Sequence, residues 1–110
     1  MVHNLKRKPT GPGEILSEEF LFPLGISQSE LARHIGCDVK VINRLVNGRT
    51  SLTAQMAIKL GATFNTTPDF WLNAQKAVDL YEASFGLRKE KLPKCINKKT
   101  KIKLEGTEVA

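Results

Sequence analysis

A chain of 110 residues with 41% apolar side chains is the size of one small domain with a single core, too short to set an active-site cleft between domains. Its net charge of +6 is uneven: residues 1–8 carry three basic side chains and no acidic one, residues 9–87 carry two more acidic than basic, and residues 88–110 carry a basic surplus of five. The body is therefore slightly acidic, so overall basicity is weak support for a nucleic-acid partner, and the absence of any run of 18 apolar residues excludes a membrane-spanning helix.

Other classes fall away on residue type and spacing. Lys6, Arg7 and Lys8 have no apolar run behind them, which is not the form of a secretory signal, and the expected location is cytoplasmic. Cys37 and Cys95 belong to no Cys-x-x-Cys pair, and His3 and His34 are scattered, so no metal site or cofactor is expected. There is no nucleophile and base pairing, no phosphate loop and no paired carboxylates, so the chain does not read as an enzyme.

Residues 1–10 are basic and unpatterned, a flexible arm that ends in the turn cluster Pro9–Thr10–Gly11–Pro12–Gly13. A first helix is expected from Glu14 to Phe22, with Ile15, Leu16, Phe20 and Leu21 at helical spacing and Pro23 and Gly25 as its stop. Ser27 and Glu30 form a capping box, and Ile26 with Leu31 a hydrophobic staple, so a second helix should run from Gln28 to Ile35. Gly36 ends it, and Asp38 caps a third helix from Val39 to about Asn47, closed by Gly48.

Thr53 opens a fourth helix over Ala54 to Phe64, its inner face built from Met56, Ala57, Leu60 and Phe64. Thr67, with Pro68 at the first helical position, opens a fifth that reaches about Ser84 and carries Phe70, Trp71 and Leu72 near its start. That helix is apolar on more than one face, more than one small core needs, so these three residues are assigned to the core or to a dimer contact. The expected fold is all-α: a five-helix domain over residues 11–87, between the arm and a basic tail at 88–110 in which Lys101–Ile102–Lys103–Leu104 alternates like a short strand.

The second and third helices carry the most specific pattern. A helix-turn-helix needs a small residue where the helices cross, a residue tolerant of positive φ in the turn and an apolar anchor beyond it, and Ala32, Gly36 and Ile42 meet those needs. Leu31, Ile35, Cys37 and Leu45 complete the inner face, Cys37 as core filler, while His34 reads as a surface residue. Val39, Lys40, Asn43 and Arg44 are left facing outward on the third helix. Lys and Arg bond guanine O6 and N7, Asn pairs with adenine, and Val packs on a thymine methyl, so these four are the candidate base-reading residues. Gln28, Asn47, Arg49, Thr50 and Ser51 are the candidate phosphate contacts.

Five runs extend this pattern: Pro12–Gly13–Glu14–Ile15–Leu16, Pro23–Leu24–Gly25–Ile26–Ser27–Gln28, Leu31–Ala32, Leu45–Val46–Asn47–Gly48–Arg49 and Phe70–Trp71–Leu72–Asn73. Together they resemble the HigA (VapI-like) antitoxins, a branch of the phage-repressor (Xre-type) helix-turn-helix class, over roughly residues 9–84. The resemblance implies a phage-repressor-like fold and a type II antitoxin of a toxin-antitoxin system. Such a protein forms a homodimer, neutralises a small HigB-type ribonuclease toxin related to RelE, and represses its own operon at a palindromic operator in double-stranded DNA. The chain departs from the family at Gly11, where histidine is usual, and in its longer lysine-rich end. A stand-alone helix-turn-helix repressor without a toxin, or a protein-interaction module using the same outward face, are the alternatives.

Overall fold

The computed structural model describes residues 7–88 and 90–96 of the chain. The expected strand at 101–104 and residues 1–6 of the arm, His3 included, lie outside them. Within them the chain is all helix and loop, with five helices that bury one side each around a common centre.

The first helix, α1, spans residues 12–24 in three contiguous segments: Pro12–Ile15 α-helical, Leu16–Leu21 π-helical and Phe22–Leu24 α-helical. It differs from the expected Glu14–Phe22 at both ends. Pro12 and Gly13 belong to the helix and are buried, because Pro at the first turn loses no hydrogen bond that a helix would otherwise make. Pro23 does not stop it. The Phe22 N–H donates to the Ser17 carbonyl five residues back, and this wider turn carries the proline ring past the preceding carbonyls it would strike in a regular helix. The same register brings Leu16 and Leu21, five residues apart, to the buried side together. The stop is Gly25, at φ +67°, after which the Ile26 N–H returns to the Leu21 carbonyl at 2.9 Å.

Helix α2 (Gln28–Ile35) opens with the full capping box: the Glu30 N–H donates to Ser27 Oγ at 3.0 Å and the Ser27 N–H to Glu30 Oε1 at 2.8 Å. Helix α3 (Val39–Val46) starts at Asp38, whose Oδ1 accepts from the Lys40 N–H at 2.9 Å. Thr53 caps α4 (Ala54–Phe64) and Thr67 caps α5 (Pro68–Gly86), each hydroxyl accepting a backbone N–H three residues on at 3.1 Å.

Every helix contributes to the core: Leu16 and Leu21 from α1, Leu31 and Ala32 from α2, Ile42 and Leu45 from α3, Ala57 and Leu60 from α4, and Trp71 from α5, joined by Leu52 from the α3–α4 connection. Trp71 is the pin. It is fully buried, its ring lies 5.2 Å from Phe20 and 5.1 Å from Phe70, and its indole N–H donates to Thr66 Oγ1 at 2.7 Å, so its polar edge is satisfied without leaving the core. Phe70 is 42% exposed and Leu72 half-buried, so the three aromatic and aliphatic neighbours do not share one environment. Beyond Val78, α5 leaves the core, and Leu80 and Phe85 face outward, as does Leu87 just past its end.

Truncating this pin should cost about 3–5 kcal/mol. Urea unfolding of Trp71→Ala is expected to show that loss, with Trp71→Phe, which keeps a ring on Phe20, losing less. A Trp71→Ala protein as stable as the parent would contradict the assignment of the indole to the core.

Candidate functional site

The turn between α2 and α3 is set by one residue. Gly36 sits at φ +87°, in the left-handed region that side chains with a Cβ rarely adopt, and this lets the Gly36 and Cys37 N–H groups both reach the Ala32 carbonyl, at 2.8 and 2.9 Å. Ala32 itself is 3% exposed and Ile42 fully buried. A larger residue at 32 would hold the two helices apart. Cys37 is half-buried with a free thiol, and His34 is exposed.

With Ile42 and Leu45 inward, the other side of α3 faces solvent, and Val39, Lys40, Asn43 and Arg44 are all exposed on it. Val41, which the sequence pattern places on neither face, is 37% exposed as well. Its neighbours Ile42 and Leu45 already fill the inner face, and that was the available signal. A polar relay ties this surface together. Asn43 Nδ2 donates to Gln28 Oε1 at 3.1 Å across the two helices, and Asn47 Nδ2 donates to Asn43 Oδ1 at 3.3 Å. Gln28 and Asn43, assigned from sequence to phosphate and base respectively, are thus direct partners. Each keeps donor capacity: the Gln28 amide nitrogen and the second N–H of Asn43 are not used within the relay.

Arg49, Thr50 and Ser51 are exposed in the connection that follows α3. Its path is fixed at both ends. Gly48 adopts φ +71°, so that the Arg49 N–H returns to the Arg44 carbonyl at 2.8 Å, and Leu52 is buried with its N–H donating to Gln75 Oε1 on α5 at 2.8 Å. Gln75 is in turn oriented by Asp79, whose Oδ1 accepts from its Nε2 at 2.8 Å. Nothing in the periodicity of α5 singled out Gln75 for this duty, although a glutamine one turn after Trp71 in an apolar helix is a visible anomaly.

From Gln28 to Arg49 the basic side chains Arg33, Lys40, Arg44 and Arg49 outnumber Glu30 and Asp38 by two. Both acids are engaged as helix caps, so the outward face of α3 presents donors and positive charge. Among the described residues no cluster of His, Cys, Asp and Glu could hold a metal ion.

The family model "Helix-turn-helix" matches residues 18–71. Antitoxin HigA-1 of Vibrio cholerae is 48% identical over 77 residues, which span 70% of this chain and 72% of that protein. Among solved structures, the Pseudomonas aeruginosa antitoxin HigA with higBA promoter superposes with a TM-score of 0.71 at 38% identity, covering 74% of this chain and 88% of that one. Antitoxin GraA in complex with its operator does so with a TM-score of 0.75 at 36% identity, covering 83% and 95%.

Removing the Gln75 amide leaves the Leu52 N–H part-buried without an acceptor, at a cost of about 1–3 kcal/mol. Gln75→Ala is expected to unfold at correspondingly lower urea, with faster amide hydrogen exchange at Leu52. Parent-like exchange at Leu52 would show that Gln75 does not hold the connection.

Proposed function

The chain belongs to the HigA (VapI-like) antitoxin family of Xre-type helix-turn-helix proteins, and from that premise we propose that it is a type II antitoxin that represses its own operon and neutralises a HigB-type ribonuclease toxin. Its relatives are regulators and antitoxins, so it is a DNA-binding protein without catalytic activity of its own. No helix among the described residues is long and apolar enough to cross a membrane.

The observation that carries the DNA half of the proposal is the outward face of α3. Val39, Lys40, Asn43 and Arg44 enter the major groove and read base edges, each good bidentate contact giving about 1–3 kcal/mol of discrimination. Gln28, at the start of α2, donates to a phosphate through its free amide nitrogen while its oxygen holds Asn43 in the orientation needed for a base. Asn47, Arg49, Thr50 and Ser51 contact the backbone beyond. Because Asn43 is held before DNA arrives, less side-chain entropy is lost on binding.

The protein half rests on apolar surface that one copy leaves open. Along and just past α5, Leu80, Phe85 and Leu87 are exposed, and they support a homodimer. At the far end of α1, Phe22 is 82% exposed and Leu24 58%, and they support a second protein partner, the toxin. In a symmetric dimer the two α3 helices would lie about 34 Å apart, one turn of DNA, and meet the two halves of a palindrome.

Arg44→Ala is expected to weaken binding to the upstream DNA by about 1–3 kcal/mol and to relax preference at one base position in each half-site, as measured by anisotropy titration against single-base variants. Unchanged affinity and preference would remove Arg44 from the groove. For the toxin half, coexpression with a neighbouring reading frame for a small ribonuclease should restore growth and yield a copurifying complex. Growth arrest without a complex would leave a repressor with no toxin partner.

A further inference from the structure

The start of α1 is held against the last turn of α3. Gly13 packs against the backbone of Leu45 so closely that a Cβ there would fall on the Leu45 carbonyl. Gly11 is fixed on the other side, where a Cβ would meet Val78 Cγ2 of α5 at 3.2 Å. The first turn of α1 is therefore clamped between the last turn of α3 and α5, and whatever precedes it must emerge there. Lys8, Pro9 and Thr10 line one cleft of about 410 Å³ with Asn47, Gly48 and Thr50, the turn that carries the phosphate candidates. Pro9 and Pro12 restrict the intervening backbone, so the basic side chains just before them have a limited reach and direction. Arg7 and Lys8 are both exposed. Glu14 and Glu82 also line the cleft, and their charge disfavours a phosphate inside it, so a phosphate held by Arg7 and Lys8 would sit outside it, beside Asn47 and Thr50.

We propose that Arg7 and Lys8 form a second, sequence-independent DNA contact, binding the phosphodiester backbone of duplex DNA next to the segment held by Asn47 and Thr50. The inference rests on the groove placement of α3 proposed above. It adds an arm that the recognition pattern of α2 and α3 does not include. Two guanidinium or ammonium groups that neutralise two phosphates release their condensed counterions, so the contact has a signature in salt dependence that base reading lacks.

The test is a titration of the full chain and of a Arg7→Ala/Lys8→Ala variant with two duplexes, the chain's own upstream DNA and an unrelated sequence of equal length, over a salt series. Both side chains are exposed, so the variant should melt with the parent. The plot of log Kobs against log[salt] is expected to become shallower by about 1.8 for both duplexes, at about 0.9 per phosphate contact, while the affinity ratio between them is retained. A parent-like slope and affinity in the variant would overturn the arm contact and leave the α3 reading standing. A lost sequence preference at unchanged slope would also overturn it, because it would mean base reading by the arm. A parent that binds neither duplex would overturn both the arm and the groove placement.

Discussion

One carbonyl holds the functional surface in place. The Ala32 oxygen accepts the amides of both Gly36 and Cys37, and that double acceptance is available only because Gly36 takes a left-handed conformation. It ends α2 abruptly, turns the chain in three residues, and delivers Asp38 where it caps α3. From there the arrangement follows: Ile42 and Leu45 drop into the core beside Ala32, Val39, Lys40, Asn43 and Arg44 are left outside, and Gln28 lies close enough to hold Asn43. Without this turn each helix would still have its apolar stripe, but the outward residues would share no common face.

Much of this was legible in the sequence, because it depends on local chemistry. The Ser27 and Glu30 capping box, the Asp38, Thr53 and Thr67 caps and the glycine stops act over three to five residues, a range that spacing alone resolves, and the expected starts of α2 to α5 agree with the observed ones. What escaped was tertiary. Proline is a helix breaker by local rules, yet Pro23 is passed because the π-helical turn before it gives its ring room, and that turn is favoured by burying Leu16 with Leu21. Gly13 reads as part of a loop until Leu45 is seen against it. Gln75 has no assigned duty until Leu52 is seen to need an acceptor. The Gln28–Asn43 bond spans 15 residues and two helices, so no pattern within either helix could announce it.

The site is built for recognition in a manner that the core makes possible. The long side chains that would contact DNA stand on rigid helices, the central one is already hydrogen-bonded on both sides, and the following connection is pinned by Leu52 and Gln75 at its far end. Among the exposed apolar residues, Phe22 and Leu24 on α1, Ile58 on α4 and Leu80 and Phe85 on α5 lie off α3, whose own are Val39 and Val41, so the contacts proposed with protein and with DNA draw largely on different surfaces. That separation is what a protein needs if it is to bind its operator and a partner protein at once.

The account is tested most directly by mapping backbone amide shifts of the labelled protein as its own upstream DNA is added. The largest changes should fall at Gln28, through Val39 to Arg44, and at Asn47 to Ser51, with Ile58 and Lys59, exposed on α4, and Phe22 little moved. Large changes at Phe22 and Ile58 with Lys40 and Arg44 unaffected would mean that some other face meets DNA, and would contradict the role given to α3.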